Sequence, residues 1–197
     1  DESINELYEA GRSASLEYFE SIYQLVGTEF DHYFFESEAG PKGRDLVLAN
    51  PEVFIDSNGA KVFPGEQYGL HTRVFVNSEG LPTYEAKELA LAKMKEDVAG
   101  TYDYSIISTS NEINEYFKVL LCAMDKVYPE LAVKTEHIGH GTVRLATGKM
   151  SSRTGEVIRA LDFIDEIKGA ALEKMLGSAT EGDTAVATQV AIAAIKY

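Results

Sequence analysis

Between residues 72 and 129 short apolar runs alternate with helix-length segments, and this alternation constrains the fold more than any other feature. TRVFVN (72–77) reads as a strand, SEGLP as a turn and YEAKELALAKMKE (84–96) as a helix. YDYSIIST (102–109) then reads as a strand and NEINEYFKVLLCAMDKVYP (111–129) as a helix. Strands separated by helices of this length predict right-handed β-α-β units around a parallel sheet, an α/β fold. A further strand is expected over TVRLAT (142–147), then a polar loop, GKMSSRTGE (148–156), and helices over 159–176 and 183–197. Upstream, Leu7, Leu16, Phe19, Ile22, Tyr23 and Val26 recur at helical spacing, predicting a helix over 3–26 that Gly27 stops. FDHYFFES (30–37) has the aromatic content of a strand, and residues 40–50 read as a short helix ended by Pro51. Two strand-like runs flank the Asp56-Ser57-Asn58-Gly59 turn, a hairpin signal.

With 197 residues the chain is long enough for one domain, or one domain with an appendage, around a sizeable core. Eighteen basic against 32 acidic side chains leave a net charge of −14, which argues against a surface devoted to nucleic-acid backbone. The acidity is uneven. Residues 1–50 hold 3 basic and 11 acidic side chains, whereas residues 134–159 hold 5 basic and 2 acidic. Cys122 is the single cysteine, so neither an intrachain disulfide nor a thiolate zinc site is open to the chain. No run of about 18 apolar residues occurs, and the first residues, DESINELYEA, lack a signal-peptide layout. A cytoplasmic protein without membrane attachment is expected. The last helix runs apolar to its final residue in IAAIKY, so a longer parent chain is expected as well.

Two constellations carry chemistry. Gly148-Lys149-Met150-Ser151-Ser152-Arg153-Thr154-Gly155 offers cations, hydroxyls and backbone N–H groups in a flexible loop, which suits a nucleotide triphosphate. On local composition alone, a solvated turn between strand and helix is the commoner explanation. Tyr84 and Glu88 stand four residues apart, so on a helix they share a face near its N-terminus. A ring and a carboxylate at that spacing could hold a guanidinium by stacking and an ion pair, although by spacing alone an ordinary helix face is commoner.

The run HIGHGTVRLATGKMSSRTGEVIRALDFIDEI (137–167) resembles the signature loop of class I aminoacyl-tRNA synthetases, in particular the arginyl family. The resemblance extends through GLHTRVFVNSEGLPTYEAKELALAKMK (69–95) and VAIAAIKY (190–197), nearly the whole chain. It implies the second half of a class I Rossmann-like parallel sheet with flanking helices and a C-terminal helical segment. Residues 1–68 would be an N-terminal helix and connecting region, 69–157 the second half of the nucleotide-binding domain, and 158–197 a helical lead into an anticodon-binding part. In this family a Lys-Met-Ser-Lys loop closes over ATP, and here Lys149, Met150 and Ser151 match it while Ser152 replaces the second lysine. Serine cannot supply that charge, and Arg153 is a weaker local substitute than Lys149.

The tetrapeptide His137-Ile138-Gly139-His140 spells the other class I signature, but only Gly141 to Gly148 separate it from the lysine loop. The true element opens a helix in the first half of the domain, so the match of letters is a coincidence. The family pattern instead aligns His137, Gly141 and Val143 with an adenine-contacting element, and His140 is as readily structural as functional. The resemblance also makes Tyr84 and Glu88 part of an arginine pocket in which the acid is commonly aspartate. A family glutamine near the start of the next helix has no counterpart in NEINEY; Asn111 and Glu112 are weak candidates, with helix capping the stronger reading for Asn111. His32 and His71 show no metal-ligand spacing.

The implied function is ATP-dependent activation of arginine to arginyl-adenylate and its transfer to the 3′ end of tRNA(Arg). ATP would act as substrate with Mg²⁺ bound through it, catalysis falling to Lys149, Ser151 and Ser152. Most tRNA contacts would lie outside this chain, which alone would be inactive. Another class I synthetase, of the class I lysyl type, or a non-ligase paralogue that binds ATP or an adenylate remains the alternative.

Overall fold

A computed structural model describes residues 2–142 and 158–197. In chain order its elements are α1 (Glu2–Val26), α2 (Glu36–Ala49), β1 (Ile55–Ser57), β2 (Ala60–Phe63), β3 (Arg73–Val76) and α3 (Tyr84–Ala99). There follow β4 (Ser105–Ser110), α4 (Asn114–Val127), the single-turn α5 (Pro129–Ala132), β5 (Thr135–His140), α6 (Ala160–Lys174) and α7 (Thr184–Lys196). They form two compact units, one of residues 1–31 with 144–197 and one of residues 32–143.

In the first unit, α6 and α7 are neighbours whose buried positions are Ile164, Ala171, Ala187 and Ala191. The alanines at 187 and 191 lie one turn apart, so a small-residue stripe lets the helix approach its partner closely. Asp183 caps α7, its carboxylate accepting from the backbone N–H groups of Ala185 and Val186 at 3.0 and 3.1 Å. At the other end of the chain, α1 stops at Gly27. The Gly27 and Thr28 N–H groups donate back to the Gln24 and Tyr23 carbonyls, the two bonds of a Schellman ending.

The second unit is α/β. β4 and β5 pair in parallel, from Ser105 opposite Thr135 to Ser110 opposite His140, with α4 as the crossover. This is the β-α-β unit that the sequence predicts. β3 departs from the expectation, since it pairs antiparallel with β2 in a three-stranded β1-β2-β3 sheet rather than beside β4. A strand-like run specifies an exposed ladder and a buried face but not the strand it will pair with. The Asn58-Gly59 hairpin matches its signal, with positive φ at both residues as a type I′ turn requires.

Two other segments differ from their sequence pattern. FDHYFFES forms no strand: residues 30–35 are irregular, and α2 begins at Glu36, four residues before the expected start. Glu36 and Glu38 occupy its first turn, where carboxylates meet the exposed N–H groups and the positive end of the helix dipole. The remaining strand expected over 142–147 falls, except for Thr142, outside the described residues.

The core of this unit joins both sheets through α3 and α4. Phe54, Phe63 and Phe75 cluster, the closest pair having centroids 4.8 Å apart, and Leu89, Leu120, Met124 and Leu131 are fully buried with them. Burying each such side chain contributes about 1.5–3 kcal/mol. β3 hands over to α3 through a tight turn: the Asn77 side chain accepts from the N–H groups of Glu79 and Leu81, and Thr83 Oγ1 donates to the Val74 carbonyl at 2.8 Å. These bonds fix where α3 starts, and hence where Tyr84 stands.

Candidate active site

The C-terminal end of β4 and the N-terminal ends of α3 and α4 meet around a cavity of about 340 Å³. Ligands of open α/β sheets bind outside the carboxyl ends of the strands. Tyr84 and Glu88 of α3 form one wall, and Thr109 of β4 with Ile113, Tyr116 and Phe117 forms the other. The two residues that spacing places on one helix face therefore share this cavity.

Their surroundings differ. Tyr84 is the first residue of α3, 67% exposed, and the Lys87 ammonium lies 5.0 Å from its ring centre. Lys87 is in turn held by Glu36 at 2.7 Å. Glu88 is half-buried, and no described side chain donates a hydrogen bond to its carboxylate. Burial pushes its pKa above the ordinary carboxylate range; Lys95 opposes that rise and Glu36 adds to it. A desolvated carboxylate in a cavity favours a cation that carries its own hydrogen-bond donors.

Tyr116 supports the opposite wall. Its ring lies 5.3 Å from the Arg73 guanidinium carbon, and Arg73 Nη1 donates to Glu85 Oε1 at 3.1 Å. The Tyr116 hydroxyl is buried without a hydrogen-bond partner among the described residues. Burial, together with the nearby carboxylates Glu88 and Glu85, pushes its pKa up, so the phenol stays protonated. Below the cavity Lys95 Nζ donates to Ser105 Oγ at 2.6 Å, joining α3 to the start of β4.

The tetrapeptide His137-Ile138-Gly139-His140 lies within β5, not at the start of a helix. Gly139 packs where a side chain would meet the Asn114 side chain and the Asn111 backbone, so this glycine serves a close approach of β5 to α4. His137 stacks on Phe117, with centroids 3.8 Å apart and planes 6° from parallel, and its Nε2 lies 2.7 Å from Thr109 Oγ1. Burial lowers its pKa below the ordinary imidazole range. His140 and Gly141 are exposed, and His140 Nδ1 lies 2.7 Å from the Gly141 carbonyl.

Of the other expected residues, Asn111 and Glu112 do not line the cavity. The cap at this point is Ser110 rather than Asn111, its hydroxyl accepting from the Glu112 N–H at 3.2 Å. Val143, Lys149, Met150, Ser151, Ser152 and Arg153 lie outside the described residues. Thr109, Ile113, Tyr116 and Phe117 were not foreseen. The available signal was a strand end running into a helix whose first turns carry an aromatic pair.

A strand–helix–strand unit with a carboxylate-bearing cavity near the carboxyl end of its first strand, and a lysine-loop motif after its second, is the arrangement of a class I synthetase catalytic fold. A family model described as tRNA synthetases class I (R), catalytic domain, matches residues 47–197, and the chain belongs to that family. Arginine–tRNA ligase of Porphyromonas gingivalis is 29% identical over 210 residues, covering all of this chain and 34% of the relative. Arginine–tRNA ligase of Treponema denticola is 30% identical over 192 residues, covering 93% of this chain and 32% of the relative. The chain thus spans about a third of the length of these curated relatives. The crystal structure of arginyl-tRNA synthetase from Plasmodium falciparum superposes with a TM-score of 0.78 at 17% identity, over all of this chain and 34% of that one. At that identity the likeness concerns the fold.

Proposed function

We propose that this chain is part of the catalytic core of an arginine–tRNA ligase. The observation that carries the reading is the cavity in which Glu88, a desolvated carboxylate without a donor partner among the described residues, shares a wall with the Tyr84 ring. A guanidinium satisfies both, stacking on the ring and donating two parallel hydrogen bonds to the carboxylate. An ammonium supplies the charge but neither the plane nor the fork.

In the first step the arginine carboxylate attacks the α-phosphate of ATP, giving arginyl-adenylate and releasing pyrophosphate. In the second the arginyl group passes to a ribose hydroxyl at the 3′ end of tRNA(Arg). Catalysis of this type rests on positioning and on stabilising charge that develops on phosphoryl oxygens. We assign Lys149, Ser151 and Ser152 to that stabilisation and Gly141, Val143 and Met150 to the nucleotide side. His137 belongs to the same strand end, and Mg²⁺ travels with ATP as part of the substrate. Residues 69–157 would then be the second half of the nucleotide-binding domain, with residues 1–68 connecting to it and 158–197 leading into a tRNA-binding part. The small cationic excess of residues 134–159 suits a triphosphate, while a broad tRNA surface belongs to other parts of a whole ligase. No helix among the described residues is long and apolar enough to cross a membrane, in keeping with a cytoplasmic site of action.

The test is amino-acid-dependent pyrophosphate exchange by a longer parent protein carrying this chain, with and without tRNA. Exchange with arginine and not lysine is the expected result. Exchange with lysine alone would overturn the substrate, and no exchange under any condition would leave a non-ligase paralogue.

A further inference from the structure

Phe117 belongs to two hollows. It lines the cavity with Tyr84 and Glu88 and, together with His137, a second of about 380 Å³ between α4 and β5. His137 stands on the far side of this shared wall. Its ring is stacked on Phe117, and its Nε2 is engaged by Thr109, which does line the first cavity.

A guanidinium carries five donors and no acceptor. A threonine hydroxyl in the wall beside it is useful only when its oxygen, not its proton, faces the ligand. The Thr109 proton therefore needs an acceptor outside the cavity. Two stand within reach: His137 Nε2 at 2.7 Å and the Ser110 carbonyl at 3.4 Å. The nearer one accepts only while Nε2 carries no hydrogen, as in a neutral imidazole protonated at Nδ1. Burial favours the neutral ring. The near-parallel stack on Phe117 fixes the plane of the imidazole, and with it the direction of the lone pair.

We propose that His137 is a positioning residue for the cavity between α3 and α4, holding the Thr109 hydroxyl as an acceptor toward a donor-only guanidinium. This rests on the assignment of that cavity to arginine. It gives His137 a duty on the amino-acid side of the site, distinct from the adenine contact implied by its place in the motif. It also adds a basis for refusing citrulline, whose ureido oxygen would face the Thr109 oxygen as well as the Glu88 carboxylate.

The experiment uses the same longer parent protein in pyrophosphate exchange, with KM measured separately for arginine and ATP. His137→Phe keeps a ring against Phe117 and removes the acceptor; Thr109→Val removes the hydroxyl and keeps the shape. Each is expected to raise KM for arginine about tenfold, the scale of one hydrogen bond to a charged donor, and Thr109→Val, at a residue with no proposed nucleotide contact, should change KM for ATP less than about twofold. The double variant should be no worse than either single one, and Thr109→Ser should recover most of the loss. A rise in KM for ATP alone, or single effects that multiply in the double variant, would overturn the proposal. Should His137→Phe fail to fold, the Thr109→Val and Thr109→Ser pair decides, because equal arginine KM in wild type and Thr109→Val also overturns it. Failure of the arginine assignment itself is visible separately, as absence of arginine-dependent exchange in the wild type.

Discussion

Arg73 and Glu85 form an ion pair, Nη1 to Oε1 3.1 Å, beside the wall of the cavity, with the carboxylate buried and the guanidinium side chain 36% exposed. The Glu85 side chain is only 9% exposed, and Arg73 is the partner that compensates its charge. Arg73→Met would leave that carboxylate without its partner, a loss of about 1–2 kcal/mol once solvent screening at the exposed guanidinium is allowed for. Urea denaturation of wild type and variant measures it. Arg73→Lys should lose less stability, yet it cannot present a planar group to the Tyr116 ring.

Glu88 links stability and substrate affinity with opposite signs. Its pKa in the folded, empty protein is raised by burial above the unfolded value. Its contribution to stability is therefore fully present below the unfolded carboxylate pKa and is lost as pH rises through the folded one. On the proposed assignment a guanidinium needs the ionised form, so KM for arginine should fall over the same rise in pH. Glu88→Gln should accordingly raise the melting temperature at neutral pH while raising KM for arginine about 100-fold. Thermal melts and exchange kinetics on the same preparation check both halves.

The packing of α2 on α3 passes through a glycine. A Cβ at Gly43 would run into the backbone carbonyl of Ala86, a neighbour that cannot swing aside as a side chain would. Gly43→Ala should cost about 1–3 kcal/mol, despite the better helix propensity of alanine. Gly11, in the exposed part of α1, has no neighbouring atom within 4 Å of its would-be Cβ. Gly11→Ala should stabilise by about 0.5–1 kcal/mol. Denaturant midpoints of the two variants should move in opposite directions.

In the lysine loop the prediction concerns charge. Lys149→Ala should slow adenylate formation about 100-fold with little change in KM for arginine. Ser152→Lys, which restores the cation that serine lacks, should recover part of that rate in the same background. Single-turnover formation of arginyl-adenylate by the longer parent protein is the measurement.

The β4-α4-β5 unit was legible because two strand-like runs and the helix between them each have an unambiguous length and period, and a parallel pair needs such a crossover. The pairing of β3 with the hairpin was not, since Arg73-Val-Phe-Val reads alike beside either neighbour. FDHYFFES was misread for a related reason. Aromatic content favours strands only where a ladder and a buried face exist, and Phe30 and Tyr33 are about half exposed. Within the site, Tyr84 and Glu88 could be paired because they lie on one helix, where spacing fixes the face. Thr109, Ile113, Tyr116 and Phe117 reach the same cavity from β4, the turn after it and α4. No interval along the chain encodes the angle at which α3 and α4 stand over the sheet. The same limit applies to His137, whose contacts with Phe117, twenty residues away, and with Thr109 no motif could show.

The bond from Lys95 to Ser105 bears on how the cavity discriminates. It ties α3, which carries Tyr84 and Glu88, to the strand that carries Thr109, near the foot of the two walls. Such a tie at the base restrains how far the two walls can part. On the proposed arginine assignment, discrimination would then rest more on exclusion of side chains that do not fit than on reshaping of the walls around each one.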